Sequence, residues 1–296
     1  VLSNVPLHNF YGYEIDPTSA MLAEVAMWLT QHQMNMRLEA EFGKAVPTIP
    51  LHEAAIILNK NSLDIPWEAR TKFKRGKGDE IIVFDYIVGN PPFIGKQQKK
   101  DDQKRDIDKI LNKINGAGVL DYVACWYIKA AQYMKKYPTT KTALVSTNSI
   151  AQGEQTSILW NELFNSYKIK IHFAHQTFKW LNEAEGVAAV HCVVIGLGCS
   201  NPKEKYLFEY SDISGEPTKL LVKNISPYLV QGGDTTISKR RTPICPVPEI
   251  SFGSMPNDGG HLLFTNEEKI EFIKQEPEAK KWIKPLISAH EYLNGK

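Results

Sequence analysis

The chain has 296 residues, of which 43% are hydrophobic and 23% charged, with a formal net charge of +2. That is room for one large domain or about two average ones, with the composition of a globular protein rather than a disordered or fibrous one. No run of about eighteen or more apolar residues occurs, which excludes a membrane-spanning helix of ordinary length; a charge this close to zero neither marks nor excludes a nucleic-acid binder, because local patches count for more than the sum.

The cysteines, Cys125, Cys192, Cys199 and Cys245, show no Cys-x-x-Cys spacing, so free thiols in a reducing, cytoplasmic setting are expected. His172, His175, His191 and Cys192 come closest to a metal set, but they lie on alternating, strand-like sequence, and no metal is expected. The first residues lack the charged and apolar regions of a signal peptide. The chain opens at Val1 and runs almost at once into a strand, as a fragment of something longer would.

In chain order, Phe10 to Glu14 reads as a short strand, with Asp16 as N-cap and Pro17 as the first helical residue. Met21, Leu22, Val25, Ala26 and Leu29 then recur at helical spacing, and the pattern fails between Glu39 and Pro50. An acid at the end of such a strand is placed to take ribose hydroxyls. Glu14 and Asp16 equally suit a helix N-terminus, where the dipole favours negative charge. Ala54 to Leu58 is a short apolar strand followed by the polar pair Asn61-Ser62. Arg70 to Gly78 reads as a basic, solvated loop. Ile81 to Val88 reads as one buried strand, ended by Gly89 and then Asn90-Pro91-Pro92-Phe93. Neither proline can donate to a ladder and each fixes its φ. Asn90 is thus held in a rigid frame at the carboxyl end of a strand, where open α/β sheets bind ligands.

Gly95 to Lys109 is dense in Lys, Gln, Asp and Arg and is expected to be a mobile surface loop. Its Lys96, Lys99, Lys100, Lys104 and Arg105 suit phosphates, and equally suit a solvated loop offset by Asp101, Asp102, Asp106 and Asp108. A helix is expected over 121–136, with Tyr122, Trp126, Ala130 and Met134 on one face, then a strand over 142–147 and a helix over 152–164. Strands follow at 169–174 and 188–197, joined by a loop from Gln176 to Ala184 that carries Phe178 and Trp180. The alternation predicts an α/β fold with a largely parallel sheet, closing in strand pairs towards Tyr210. Beyond Leu221, Pro and Gly punctuate the chain, Lys239-Arg240-Arg241 forms a small basic cluster, and 267–281 reads as a charged helix. A catalytic domain over 1–220 and the start of a second, smaller unit over 221–296 are expected.

Glu14, Asn61-Ser62 and Asn90-Pro-Pro-Phe93 come at successive strand ends. That order suits a nucleoside cofactor lying across the carboxyl edge of a sheet, with ribose at the first site, adenine at the second and the reacting group at the third. An Asn side-chain carbonyl and a proline backbone carbonyl are two fixed acceptors, matched to a substrate with two N–H donors such as an exocyclic amine. Bonds to both protons orient the nitrogen and raise its electron density for attack on an electrophilic methyl. An aromatic three residues after the Asn can stack on a planar base.

These residues resemble the S-adenosylmethionine-dependent amino-methyltransferases, and most closely the adenine-N6 DNA methyltransferases. The resemblance rests on Gly12-Tyr-Glu14-Ile-Asp16, Asn90-Pro-Pro-Phe93, Ser146-Thr-Asn148-Ser-Ile150 with Gln152-Gly153-Glu154, and Phe178-Lys-Trp180 with the strand to Leu197. The later groups are similar to the branch in which methyltransferase and restriction endonuclease share one chain. Phe252-Gly-Ser254-Met-Pro256 and Asp258-Gly-Gly260 resemble the approach to that branch's target-recognition domain. The resemblance implies a Rossmann-like class I sheet, mostly parallel with an antiparallel strand near its end. It implies Glu14, with Ile15, at the cofactor ribose, and Asn61 at the adenine edge with Ser62 and Leu63 nearby. It implies Asn90, which also borders the cofactor, and the Pro91 carbonyl on the target amine, with Pro92 and Phe93 completing the motif. Phe93 would stack on an adenine flipped out of double-stranded DNA, and Phe178 or Trp180 would wall its other side. An endonuclease domain elsewhere in the parent chain is implied as well.

The family's glycine-rich loop, which holds the methionine end of the cofactor, should precede Glu14, yet no glycine stands ahead of Phe10. The first strand and its loop are therefore expected to be missing, leaving this fragment inactive by itself. Methylation of RNA or of a protein glutamine, or a nucleic-acid-binding scaffold that has lost catalysis, are the competing readings. The long basic segment after Phe93 and the extra unit after Leu221 favour DNA. A nicotinamide oxidoreductase would need a G-x-G-x-x-G that the chain lacks.

Overall fold

Asp16 and Pro17 open the first helix as their chemistry requires. In the computed structural model, which describes residues 5–43, 54–67, 72–74, 79–95, 98–180, 190–240, 242–248 and 258–295, the Asp16 side chain accepts from the Ser19 backbone N–H at 2.7 Å. Helix α1 (Pro17–Phe42) then runs until Gly43, which takes the left-handed conformation at φ 65° that only glycine adopts cheaply. Strand β1 (Tyr11–Glu14) precedes α1, and β2 (Ile56–Asn59) pairs with it in parallel, from Tyr11 opposite Ile56 to Glu14 opposite Asn59.

The expected basic loop and the single strand after it are corrected here. Strands β3 (Lys72–Lys74) and β4 (Asp79–Ile81) form a small antiparallel hairpin. The chain leaves it over residues 82–85 before β5 (Tyr86–Gly89) begins. The apolar run from Ile81 thus serves two sheets.

The charged segment after Phe93 is corrected too. Helix α2 (Asp101–Leu111) occupies most of it, and its Asp106, Ile107 and Leu111 are buried. Next come α3 (Ala124–Lys136), β6 (Lys141–Thr147) and α4 (Gly153–Asn161), which continues into one π-type turn over Glu162–Ser166. Strand β7 (Lys170–Trp180) is longer than expected and takes in Gln176, Phe178 and Trp180, so those aromatics stand on a strand rather than a loop. It is followed by β8 (Val190–Gly198), β9 (Lys205–Glu209) and β10 (Thr218–Val222).

The main sheet has six strands in the order β10-β9-β7-β8-β6-β5. Strands β5, β6, β7 and β9 share one direction; β8 runs antiparallel to both its neighbours and β10 antiparallel to β9. This is the expected Rossmann-like sheet, mostly parallel in sense with reversed strands towards its end. Gly196 on β8 is required by close packing, since a Cβ there would lie 2.1 Å from the Phe173 ring on β7.

The core is built where α3 and α4 cover the sheet. Tyr127, Ile128, Met134, Leu144, Leu159 and Trp160 are almost wholly buried, each burial contributing roughly 1.5–3 kcal/mol. The buried polar groups of β6 are answered by α3. Ser146 Oγ bonds Tyr127 Oη at 2.6 Å, and Thr142 Oγ1 donates to Met134 Sδ at 3.4 Å.

The chain divides by internal contacts into residues 1–239 and 240–296. The first unit reaches past residue 220 because β10 joins the sheet, while Asn224 and Asp234 hold Lys205 and Lys170 by hydrogen bond and ion pair. The second unit contains α5 (Asn266–Gln275) and α6 (Ala289–Leu293), each opened by a reciprocal capping box, Thr265 with Glu268 and Ser288 with Glu291. Among the described residues no helix is long and apolar enough to cross a membrane.

Candidate active site

The carboxyl end of β1 is fixed from the neighbouring strand. Asn59 Nδ2 donates to the carbonyl oxygens of Glu14 at 3.0 Å and Ile15 at 2.9 Å. The Glu14 carboxylate accepts from the Asp16 N–H at 2.9 Å through one oxygen. The two acids therefore have separate tasks. Asp16 caps α1, and hydrogen bonds from the Ser19 backbone and side chain hold its carboxyl below the usual range. Glu14 is the strand-end acid on the wall of a cavity.

The loop after β2 is organised by hydrogen bonds from elsewhere. Asn61 Oδ1 accepts from the Leu63 N–H at 2.9 Å, and Asn61 Nδ2 donates to Asp106 Oδ2 of α2 at 3.3 Å. Each end of that amide keeps capacity for one further bond. Ser62 is held from two sides: its Oγ accepts from Trp126 Nε1 at 3.0 Å and its carbonyl from Trp67 Nε1 at 3.1 Å. Asp106 also accepts from the Tyr122 hydroxyl. Burial, and then that carboxylate, push the Tyr122 hydroxyl far above its usual range.

At the end of β5, Pro91 is buried while Asn90 and Pro92 are exposed. Among the described residues the Asn90 amide makes no hydrogen bond. An exposed polar side chain on a rigid proline frame with its acceptor uncommitted is arranged for an outside partner.

These strand ends surround one cavity of about 2130 Å³, lined by Glu14, Ile15, Asn61, Ser62, Asn90, Pro91 and Pro92 among others. An aromatic chain runs from its wall to α3. Tyr11 at the start of β1 meets Phe84 just before β5 at 5.1 Å between ring centroids, and Phe84 stacks on Tyr133 of α3 at 6.0 Å. The cavity volume is more than twice the upper end of about 1,000 Å³ for small-molecule pockets. Strands β1 and β5 belong to different sheets. Tyr86 and Val88 of β5, which line the cavity, and Met21, Leu22 and Leu29 of α1 are all more than half exposed.

Phe93, Phe178 and Trp180 do not line this cavity. Phe178 and Trp180 stand together on β7, ring centroids 5.9 Å apart, with Phe178 stacked on Tyr210 at 5.3 Å. Cys192 of β8 pairs with both Phe178 and Thr147, so Phe178 lies level with the carboxyl end of β6, on the same sheet edge as Asn90. His175, stacked on Phe208 at 4.1 Å, extends the cluster, and burial lowers its pKa. Among the described residues no group of His, Cys, Asp and Glu is arranged to hold a metal ion.

Of the residues expected to meet phosphates, Lys96 lies outside the described residues, Lys99 donates to the Leu120 carbonyl at 2.5 Å, and Lys104 pairs with Asp101 at 3.0 Å. Sequence reasoning missed Asn59, Asp106, Trp126 as a donor, and Lys129. Only Asp106 carried a local signal, at helical spacing beside Ile107, Ile110 and Leu111.

An acid at the end of β1, a polar loop after β2 and an Asn-Pro-Pro turn after β5 thus line one cavity, and the fold around it is that of a class I methyltransferase. The chain belongs to the MmeI DNA-methyltransferase domain family, which matches residues 1–209, and residues 231–296 match the MmeI target recognition domain. It is 41% identical over 294 residues to DNA methyltransferase A of Bacillus subtilis (strain 168), covering 99% of this chain and 32% of that protein. It is 44% identical to the Type IIL restriction-modification enzyme MmeI, whose structure was solved in complex with DNA. That likeness has a TM-score of 0.84 over 100% of this chain and 38% of the solved one. The chain thus spans about a third of the length of the relatives it matches.

Proposed function

We propose that this chain is the acceptor-binding part of an S-adenosylmethionine-dependent methyltransferase acting on the N6 amine of adenine in double-stranded DNA, within a restriction-modification protein. The observation that carries the reading is the meeting of Glu14, Asn61-Ser62 and Asn90-Pro91-Pro92 around one cavity, in a chain whose residues 1–209 match a DNA-methyltransferase domain. DNA as partner is supported by the solved relative, bound to DNA, and by the match to a target recognition domain. An endonuclease domain is proposed for the part of the longer protein outside this chain.

The residues present fit the cofactor. Glu14 keeps one carboxylate oxygen for ribose hydroxyls, Ile15 offers an exposed apolar side chain to the nucleoside, and Asn61 keeps one donor and one acceptor for the adenine edge. The cofactor supplies an electrophilic methyl group. Asn90 Oδ1 and the Pro91 carbonyl oxygen accept the two N–H bonds of the target amine. Held so, the nitrogen lone pair would face the methyl carbon, and the two oxygens would stabilise the positive charge growing on nitrogen as the S–CH3 bond broke and its electron pair stayed on sulfur. The nitrogen then gives up one of its protons along the hydrogen bond it already makes, and from there to solvent. Because this amine is paired inside the duplex, the adenine must first leave the stack. Phe93 stacks on the flipped base, and the Phe178–Trp180 cluster supplies a wall on the same sheet edge.

The width of the cavity between β1 and β5, with Tyr86 and Val88 of β5 exposed in its lining, supports a further parallel strand seated there. That strand would carry a glycine-rich turn for the methionine end of the cofactor. This chain by itself is expected to bind S-adenosylmethionine far more weakly than the longer protein does. Isothermal titration of both checks this, and micromolar binding by the chain alone would refute it.

A further inference from the structure

Lys129 lies on α3, whose apolar face builds the core, yet its side chain turns to the loop after β2. Its ammonium donates to three backbone carbonyls of that one loop: Ser62 at 2.5 Å, Leu63 at 2.8 Å and Ile65. A lysine ammonium has three donors, and all three are spent here. The Trp67 ring, in the same loop, lies 5.5 Å from Nζ. Trp126, one turn earlier on α3, holds the Ser62 hydroxyl, while Asp106 of α2 holds Asn61. The Ser62 carbonyl is shared with Trp67 Nε1, while the Leu63 and Ile65 carbonyls are answered by Lys129, so one charge draws the loop onto α3.

We propose that Lys129 is a positioning residue, holding Asn61 and Ser62 in the attitude in which they receive the cofactor's adenine, an inference that rests on the reading of this cavity as the cofactor site. The side chain is too far back, and too fully bonded, to touch the ligand itself. What it sets is the shape of the loop before the ligand arrives. Preorganisation of this kind lowers the ordering cost on binding and leaves the chemical step alone.

The same site carries a pH response. Burial, followed by Lys109 of α2, lowers the Lys129 pKa to about 8, against the opposing pull of Asp64 in the loop and Asp106 of α2. The neighbouring thiol, Cys125 on α3, is pushed up to about 12 by burial and does not titrate in that window. Below pH 8 the ammonium holds three carbonyls. Above it the neutral amine has two donors and turns a lone pair towards the third, so the loop loosens as pH rises.

The test uses the full-length protein that contains this chain, with Lys129→Met and Trp126→Phe variants. Amide exchange is followed without ligand, and S-adenosylmethionine is the probe for binding and for methyl transfer. In Lys129→Met, amides of residues 61–67 are expected to exchange about tenfold faster or more while those of β6 and the rest of α3 hold. KM for S-adenosylmethionine should rise about tenfold with kcat within twofold. The native protein should lose affinity as pH rises through about 8, and Lys129→Met should lack that step. Trp126→Phe should move exchange and KM in the same direction but keep the pH step, since Lys129 is intact in it; if Lys129→Met does not fold, Lys129→Arg, which stays charged through pH 8, should lack that step and decides the matter. Native binding with unchanged exchange, KM and pH profile in the variants overturns the positioning role alone. Absence of S-adenosylmethionine binding by the native protein overturns the cofactor reading and this role with it.

Discussion

Replacing Asn90 by Ala is expected to reduce methyl transfer by the full-length protein by a factor on the order of 10²–10³ or more, while cofactor and DNA affinities stay within a few-fold. The side chain is exposed and makes no hydrogen bond among the described residues, so its removal leaves no buried group without a partner and costs little stability. On the proposed reading the substitution removes one of two fixed acceptors on the amine. Their bonds strengthen as positive charge develops on nitrogen, so the loss falls on the transition state and shows in kcat rather than KM. Single-turnover transfer from methyl-labelled S-adenosylmethionine, alongside equilibrium binding of both ligands, separates the two effects. A variant that bound poorly but turned over normally would move Asn90 from chemistry to binding.

The second large effect concerns the scaffold. Trp160→Ala is expected to cost about 3–5 kcal/mol. Trp160 is fully buried, its ring meets Tyr127 at 6.2 Å and Phe164 at 5.4 Å, and its Nε1 donates to the Ile150 carbonyl at 2.9 Å. Truncation leaves both a cavity and an unanswered carbonyl in the Asn148–Ala151 turn that follows β6. Nearby, Ser149 Oγ and Gln155 Nε2 both donate to Asp121 Oδ2, so that turn should loosen with it. Urea unfolding of the methyltransferase domain within the full-length protein measures the loss as a lower midpoint at unchanged slope. A shift below 1 kcal/mol would mean that the site relaxes around the gap.

Signals that act over a few residues were legible. Asp16-Pro17 caps α1 because an acceptor and a fixed φ are wanted there whatever the rest of the chain does. Asn90-Pro-Pro-Phe93 ends β5 for the same kind of reason. In the segment after Phe93 dense charge hides the helical signal: Ile107, Ile110, Leu111 and Ile114 repeat at helical spacing across the end of the charged run at Lys109. Phe178 and Trp180 were placed on a loop because β7 carries two register shifts, which break the alternation by which strands are recognised. The Ile81–Val88 run gave no local sign that it feeds two sheets, since the break is decided by partners: β3 for its first part and β6 for its last.

The candidate site divides the same way. The residue types at the strand ends were readable, but their support was not. Asn59 acts on Glu14 and Ile15 across two strands, Asp106 on Asn61 from a helix, and Lys129 on a loop more than sixty residues earlier in the chain. Such contacts exist only once the chain has folded. A lysine on an otherwise apolar helix face reads as a solvated end until the carbonyls it meets are known.

The methyl acceptor proposed for Asn90 and Pro91 is the exocyclic amine of adenine. Two acceptors on a rigid turn fit an exocyclic amine in general, so the identity of the modified base decides it. Duplex DNA is treated with the full-length protein and S-adenosylmethionine, digested to nucleosides and resolved by mass spectrometry. N6-methyladenine that disappears with Asn90→Ala is the predicted result. N4-methylcytosine in its place, or no methylated base while labelled methyl groups reach RNA or protein, would contradict it.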